Sequence, residues 1–245
     1  MSRTTLVLLV TTGCLWASIP ADAQTADVER GYITAAADFL GAGSGFTDEI
    51  HPIDFGEAAT VAGSYQVKFA PGFAVGGGAR VWRRLALGVE AGRVSHGNTA
   101  DVSAQVPHPF FFNKPRAVTG SASGLDRAEL AVHVIASWVA PVADRWQLSV
   151  GGGPSWITVD QAVISDVTVT QTYPYDTATF AGAVTRKASK GHVGVNAGVE
   201  AAYLLRPRAA LAFGARFSHA HVPLTDTAST DAGGLHATAG LRLRF

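Results

Sequence analysis

Apolar and polar residues alternate with a period of two through most of the chain after residue 30, and the alternation falls into eight runs. The first, from about Tyr32 to Leu40, sets Ile33, Ala35, Ala37 and Phe39 on one face. In the second, Tyr65, Val67, Phe69, Pro71, Phe73, Val75, Gly77, Ala79 and Val81 share one register. Pro71 lacks a ladder donor there, so it marks a bulge, or an extension beyond the membrane if the sheet spans one. Arg83-Arg84 turns into the third run, Leu85, Leu87, Val89 and Ala91. The fourth holds Leu130, Val132, Val134, Ala136 and Trp138 and ends at Pro141; the fifth holds Trp146, Leu148, Val150 and Trp156. The sixth carries Val193, Val195, Ala197, Val199, Ala201 and Tyr203, and Arg206-Pro207-Arg208 leads to the seventh, Ala209, Leu211, Phe213, Ala215 and Phe217. The eighth runs from Leu235 to Phe245, with Leu235, Ala237, Ala239, Leu241, Leu243 and Phe245 on one side and His236, Thr238, Gly240, Arg242 and Arg244 on the other. A period of two specifies strands, because successive side chains point to opposite faces.

The connections alternate in length. Those near Arg83, Val142 and Pro207 are a few residues long, whereas 41–64, 97–126, 161–191 and 222–233 are long and rich in Gly, Ser, Thr, Asp and Pro. Val163 to Val184 pairs either as an extra hairpin, raising the strand count from eight to ten, or as an extension of its neighbours. Trp82, Trp138, Trp146 and Tyr203 lie near the short turns, where an aromatic girdle is expected if the sheet crosses a bilayer.

The N-terminus supplies an address. Arg3, the apolar stretch Leu6 to Val10 with Leu15-Trp16, and the A-x-A site Ala21-Asp22-Ala23 read as a secretory signal peptide, residues 1–23, cleaved before Gln24. Its apolar core is much shorter than the roughly 20 residues of a spanning helix. Cys14 after Thr11-Thr12-Gly13 is a poor lipoprotein box, and a chain cut after Ala23 retains no cysteine. Its stability must then come from something other than disulfides. The net charge is zero and only 16% of residues are charged, so no basic field points to nucleic acid.

An exported chain with alternating runs and no helical span reads as a closed barrel, the form in which strands satisfy their own hydrogen bonds in lipid. The expected fold is all-β: an eight-stranded antiparallel up-and-down transmembrane β-barrel over residues 24–245, with short periplasmic turns and long extracellular loops. A soluble lipocalin-like barrel or a sandwich is the alternative, with the apolar register turned inward. The export signal, the alternation, the loop asymmetry and a terminal strand ending on Phe245 resemble the small bacterial outer-membrane β-barrel family, of the OmpA-like type. That resemblance implies a Gram-negative outer-membrane location, Phe245 as the signal read by the assembly machinery, and a monomer surrounded by outer-membrane lipid and lipopolysaccharide. No domain is expected after the barrel, and with it no peptidoglycan tethering.

With the apolar register toward lipid, the other register lines the lumen: Asp38, Arg80, Glu90, Glu129, His133, Gln147, Asn196, Glu200, Arg216, Arg242 and Arg244. Eight strands leave an interior just wide enough for side chains to fill. Charges at that density must pair, because unpaired ones cost too much to desolvate. The expected ion-pair network sets Glu90, Glu129 and Glu200 against Arg80, Arg216 and Arg242, with Asp38 nearby, and closes the lumen. An ion-selective or gated pore is the competing reading of the same residues.

Candidate chemistry is sparse. His219 and His221 sit at i and i+2 near Asp226, a spacing compatible with metal chelation but also with polar-tipped interface residues. Ser218 precedes His219, whereas outer-membrane lipid A deacylases carry a His-x-Ser-Asn-like run, and no Gly-x-Ser-x-Gly occurs. Asp226, Asp231, His219 and His221 could form a protease-like rim cluster. Gly76-Gly77-Gly78 and Gly151-Gly152-Gly153 lead into no helix, so they are bends in a narrow barrel rather than phosphate loops. No cofactor is expected. The segment Pro107-His108-Pro109-Phe110-Phe111-Phe112-Asn113-Lys114-Pro115-Arg116 is the candidate surface-interaction loop. Lys114 and Arg116 there could meet lipopolysaccharide phosphates, unless the loop folds over the barrel mouth and buries its own phenylalanines. The expected function is therefore a non-enzymatic outer-membrane protein whose loops serve surface interaction or envelope integrity. A narrow channel for small or hydrophobic solutes comes next, and a lipid- or peptide-hydrolysing membrane enzyme third.

Overall fold

The computed structural model describes residues 30–41, 43 and 45–245, so the segment read as a signal peptide lies outside the described residues. Fourteen strands follow one another: β1 (Gly31–Leu40), β2 (Phe46–Ile50), β3 (Ile53–Asp54), β4 (Glu57–Ala58), β5 (Thr60–Tyr65), β6 (Ala70–Trp82), β7 (Leu85–His96), β8 (Thr99–Val106), β9 (Arg116–Ser123), β10 (Arg127–Ala143), β11 (Trp146–Gln171), β12 (Ala178–Arg206), β13 (Ala209–Pro223) and β14 (Ser229–Arg244). Eight of them close an antiparallel ring in the order β1-β14-β13-β12-β11-β10-β7-β6. The eight alternating runs supply those eight strands, and Val163–Val184 lengthens β11 and β12 without adding strands to the ring.

The ring closes where the first strand meets the last. β1 and β14 pair from Tyr32↔Arg244 to Leu40↔His236, and Phe245 exchanges backbone hydrogen bonds with Gly31 at 2.8 and 3.0 Å. The two-residue turns at 83–84, 144–145 and 207–208 join Trp82 to Leu85, Ala143 to Trp146 and Arg206 to Ala209. Arg83 adopts φ 42°, the left-handed value that tight hairpins demand, and its guanidinium lies 5.2 Å from the Trp82 ring. Trp146 and Tyr203 pack with ring centroids 5.1 Å apart at the same end.

The apolar register points outward. Ile33, Phe73, Val75, Leu87, Val89, Leu130, Val134, Val150, Trp156, Val193, Val195, Val199, Phe213, Phe217, Leu241 and Leu243 are all exposed. A continuous apolar belt of this size is untenable in water and is the surface that a bilayer covers. The chain is a transmembrane β-barrel.

The long connections differ from their reading as loops. Residues 46–65 and 99–123 form a second sheet in the order β2-β5-β8-β9, and β3 with β4 makes a small hairpin beside it. β11 and β12, 26 and 29 residues long, are more than twice the roughly 9–11 residues needed to span. They project beyond the bilayer, and β9 packs on β12 there. Between this sheet and the projecting barrel wall sits an apolar core of Val61, Tyr65, Val102, Val106, Val118, Leu125, Ile157, Val159, Val163, Ile164, Val222 and Leu224. The long connections thus build an outer cap with a core of its own. The single register drawn from Tyr65 to Val81 breaks at 66–69: Tyr65 and Val67 are buried with the cap, whereas Phe69 onward faces out. Pro71 lies where β6 pairs with β1 but has not yet met β7, whose pairing begins at Gly72; the register shift falls instead between Arg80 and Trp82.

Candidate functional site: lumen and outer cap

Alternation on each barrel strand sends polar side chains inward, and they meet in tiers. Arg242 on β14 contacts Glu200 on β12 at 2.6 Å, donates to the Thr34 hydroxyl at 2.9 Å, and stacks 3.9 Å from the Tyr32 ring centroid. The ring has room because residue 78 is glycine: a Cβ there would sit 2.9 Å from Tyr32 Cε1. Arg216 on β13 makes a two-pronged ion pair with Glu90 on β7, one prong being 3.2 Å. Between these two pairs lies a space of about 50 Å³ lined by Glu90, Glu200, Arg216, Arg242, Thr34 and Thr238. That volume suits only a few water molecules.

Next, Asp38 pairs with His236 Nδ1 at 3.0 Å. The Ser155 hydroxyl lies 2.7 Å from His133 Nδ1 and accepts from the Asn196 amide at 2.9 Å. Toward the outer mouth the lining turns apolar at Ala131, Ile157 and Val159, and the Arg127–Glu129 pair is embedded there at 2.7 Å. Arg127, with no side-chain exposure, also donates to Thr230 Oγ1 at 3.1 Å and to the Asp231 carbonyl at 3.2 Å. Glu129 in turn accepts from the Gly233 N–H at 2.8 Å.

Four of the six charges expected to pair do so with each other, and two do not. Glu129 takes Arg127 as its partner, and Arg80 has no ion partner among the described residues, because it lies at the turn end of β6 and is half-exposed. Arg127 carries a weak signal in the sequence because it borders a loop-like segment. Ser155 carries a clearer one, since it shares the inward parity of Gln147 along β11.

At the rim, His219 and His221 both point outward. His221 meets Asp231 at 3.1 Å and His219 stacks on Phe217, while Ser218 is buried on the opposite face, so no serine–histidine pair forms there. Asp226 lies in the exposed turn beyond β13 and joins neither histidine. Among the described residues no three His, Cys, Asp or Glu side chains form a metal-holding group.

In the phenylalanine segment the rings stand out, as in the surface-loop reading, but one of its two basic residues does not. Phe110, Phe111 and Phe112 are exposed and not folded under the cap. Arg116 is buried: it donates to Gln171 Oε1 and the Pro107 carbonyl at 2.6 Å each and to the Tyr175 carbonyl at 3.0 Å, which removes it from any phosphate-binding role. Lys114 pairs with Asp176 at 2.8 Å. His108, also buried, accepts the N–H groups of Phe110 and Phe111 on Nδ1 at 3.1 and 3.2 Å and so shapes the turn that presents them.

No family model matches the chain, and no curated protein matches it in sequence. Its backbone is similar to solved outer-membrane structures. OprG from Pseudomonas aeruginosa superposes with a TM-score of 0.50 at 10% identity, over 89% of this chain and 96% of that one. Neisserial surface protein A gives 0.42 at 14% identity, over 88% and 97%, and the outer membrane protease OmpT from Escherichia coli gives 0.36 at 10%, over 90% and 100%. The architecture, with its lipid-facing belt, is that of a bacterial outer-membrane β-barrel.

Proposed function

We propose that the chain is a non-enzymatic outer-membrane protein that acts through its cap, with a lumen closed by its own side chains. The observation that carries this reading is the construction of the cap: segments that could have stayed loose spend their alternation on a second sheet and a buried core, and hold three phenylalanines out to the exterior. Support for closure comes from the tiers of ion pairs and the apolar layer above them, with a space of only about 50 Å³ between the Glu90–Arg216 and Glu200–Arg242 pairs. Lipopolysaccharide around the belt and the assembly machinery acting on the strand that ends at Phe245 are the partners this reading includes.

Two measurements test it. Purified protein in planar bilayers should show no large, stable openings. Cells displaying the protein should adhere to cultured cell monolayers, and deleting residues 109–112 should abolish adhesion while the heat-modifiable barrel persists on gels. Stable conductance, or adhesion indifferent to the deletion, would overturn the proposal.

A further inference from the structure

Three separate segments converge at the outermost point of the cap. The Asn113 N–H donates to Glu57 Oε1 of the β3–β4 hairpin at 2.8 Å, and Lys114 meets Asp176 in the 172–177 turn that joins β11 to β12. The Phe110 and Tyr175 rings lie 5.5 Å apart, and Tyr175 meets Tyr173 edge-on at 6.0 Å. The result is one apolar apex whose side chains stand free: Phe112 is 74% exposed, Ile53 73% and Tyr173 80%, with Phe55, Phe110 and Phe111 beside them.

This apex is held and not floppy, because the His108 and Arg116 hydrogen bonds beneath it fix the backbone that carries the rings. It cannot reach the bilayer that the barrel spans. Trp156, the outermost lipid-facing residue of β11, precedes the end of that strand at Gln171 by a distance on the order of 50 Å along the chain. The rings therefore face a different surface.

The charges say which kind. Among the ionised groups of these segments, Asp54, Glu57 and Asp176 are acidic and Lys114 and Arg116 basic; Arg116 is buried and Lys114 is neutralised by Asp176. Three acids against two bases leave these segments net negative, so a strongly anionic surface has no net attraction for them. Aromatic anchors that lock into a protein partner must each be packed and desolvated in a fitted pocket. Free-standing Phe, Tyr and Ile side chains on a protruding tip instead suit the soft headgroup–acyl boundary of a lipid layer, where aromatic rings partition favourably.

We propose that the apex inserts into the interfacial zone of a zwitterionic lipid surface facing the cell. This rests on the surface-acting reading given above and names its partner. The test holds the full chain in nanodiscs and measures capture of phosphatidylcholine vesicles, alone or mixed with phosphatidylglycerol. Wild-type protein should capture phosphatidylcholine vesicles, adding phosphatidylglycerol should not improve capture, and Phe110→Ser/Phe111→Ser/Phe112→Ser should reduce it by about tenfold or more. As a second measurement, an environment-sensitive dye on Phe112→Cys should brighten when phosphatidylcholine vesicles are added. Absent wild-type capture, equal capture by the triple variant, capture that needs phosphatidylglycerol, or an unresponsive dye would overturn the proposal. Apex-dependent cell adhesion without vesicle capture would mean a protein or glycan occupant, sinking the lipid assignment but not the surface reading. Loss of both would sink the two together.

Discussion

Arg242 on the last strand reaches past β13 to place its guanidinium 2.6 Å from Glu200 on β12. Arg216 likewise crosses the lumen to Glu90 on β7. These contacts tie strands that are not hydrogen-bonded neighbours, so they brace the ring's cross-section in addition to filling it. Removing one partner leaves the other charged in a confined interior.

Glu90→Ala is expected to destabilise the barrel by about 3–5 kcal/mol, because Arg216 is then uncompensated. Glu90→Leu combined with Arg216→Met should recover most of that loss. The temperature at which the folded band converts to the unfolded band on a denaturing gel measures both, and a double variant as weak as the single one would contradict the pairing.

Cap docking depends on a glycine. A Cβ at Gly120 on β9 would lie 2.3 Å from Phe180 Cγ on β12, too close for any real contact. Gly120→Val should therefore loosen the cap by about 1–3 kcal/mol, the range of overpacking. Protease should cut 99–123 faster while heat modification of the barrel is unchanged, and adding Phe180→Ala should restore resistance.

Tyr65 anchors the cap core through its hydroxyl, which accepts the Ile164 N–H at 2.8 Å. Tyr65→Phe leaves that buried donor unpaired, at a cost of about 1–3 kcal/mol. Burial also pushes the Tyr65 hydroxyl up to about 12. A folded value above the ordinary value of about 10 means that the stabilisation is complete below pH 10 and fades as pH rises through 12. Cap proteolysis across that window should rise in the wild type, and the Tyr65→Phe chain should lack this component.

At the apex, the two basic residues should behave differently. Arg116→Ala strands the Pro107 and Tyr175 carbonyls, each unpaired acceptor costing about 1–3 kcal/mol, and should free 107–115 for limited proteolysis. Lys114→Ala should shift stability by no more than about 0.5 kcal/mol, since its ion pair is surface-exposed.

The barrel was legible because lipid enforces a strict period of two: Leu130, Val132, Val134 and Trp138, or Leu241 and Leu243, cannot change face without putting charge into the bilayer. The cap was not. Its strand β8 alternates Ala100, Val102, Ala104 and Val106 with Asp, Ser and Gln, small side chains whose contrast resembles that of a polar loop. Charge pairing was half legible for a similar reason: parity names the inward residues Glu90, Glu200, Arg216 and Arg242, but strand stagger decides which of them stand level.

By itself the sequence determined the eight alternating runs and which residues share a face, because each is a local consequence of alternation. The closed ring decided that the apolar face is the outer one and that 163–184 adds no strand to it. Only the tertiary structure decided that Arg127 and not Arg80 meets Glu129, that Arg116 is buried, and that Phe110, Phe111 and Phe112 stand exposed beside Tyr175. Arg127 shares a face with Glu129 by alternation along β10, and the fold adds that Arg80 stands elsewhere. Arg116 and Phe110 owe their places to a segment far off in sequence, as with Arg116 and the Tyr175 carbonyl 59 positions on, which no local period encodes.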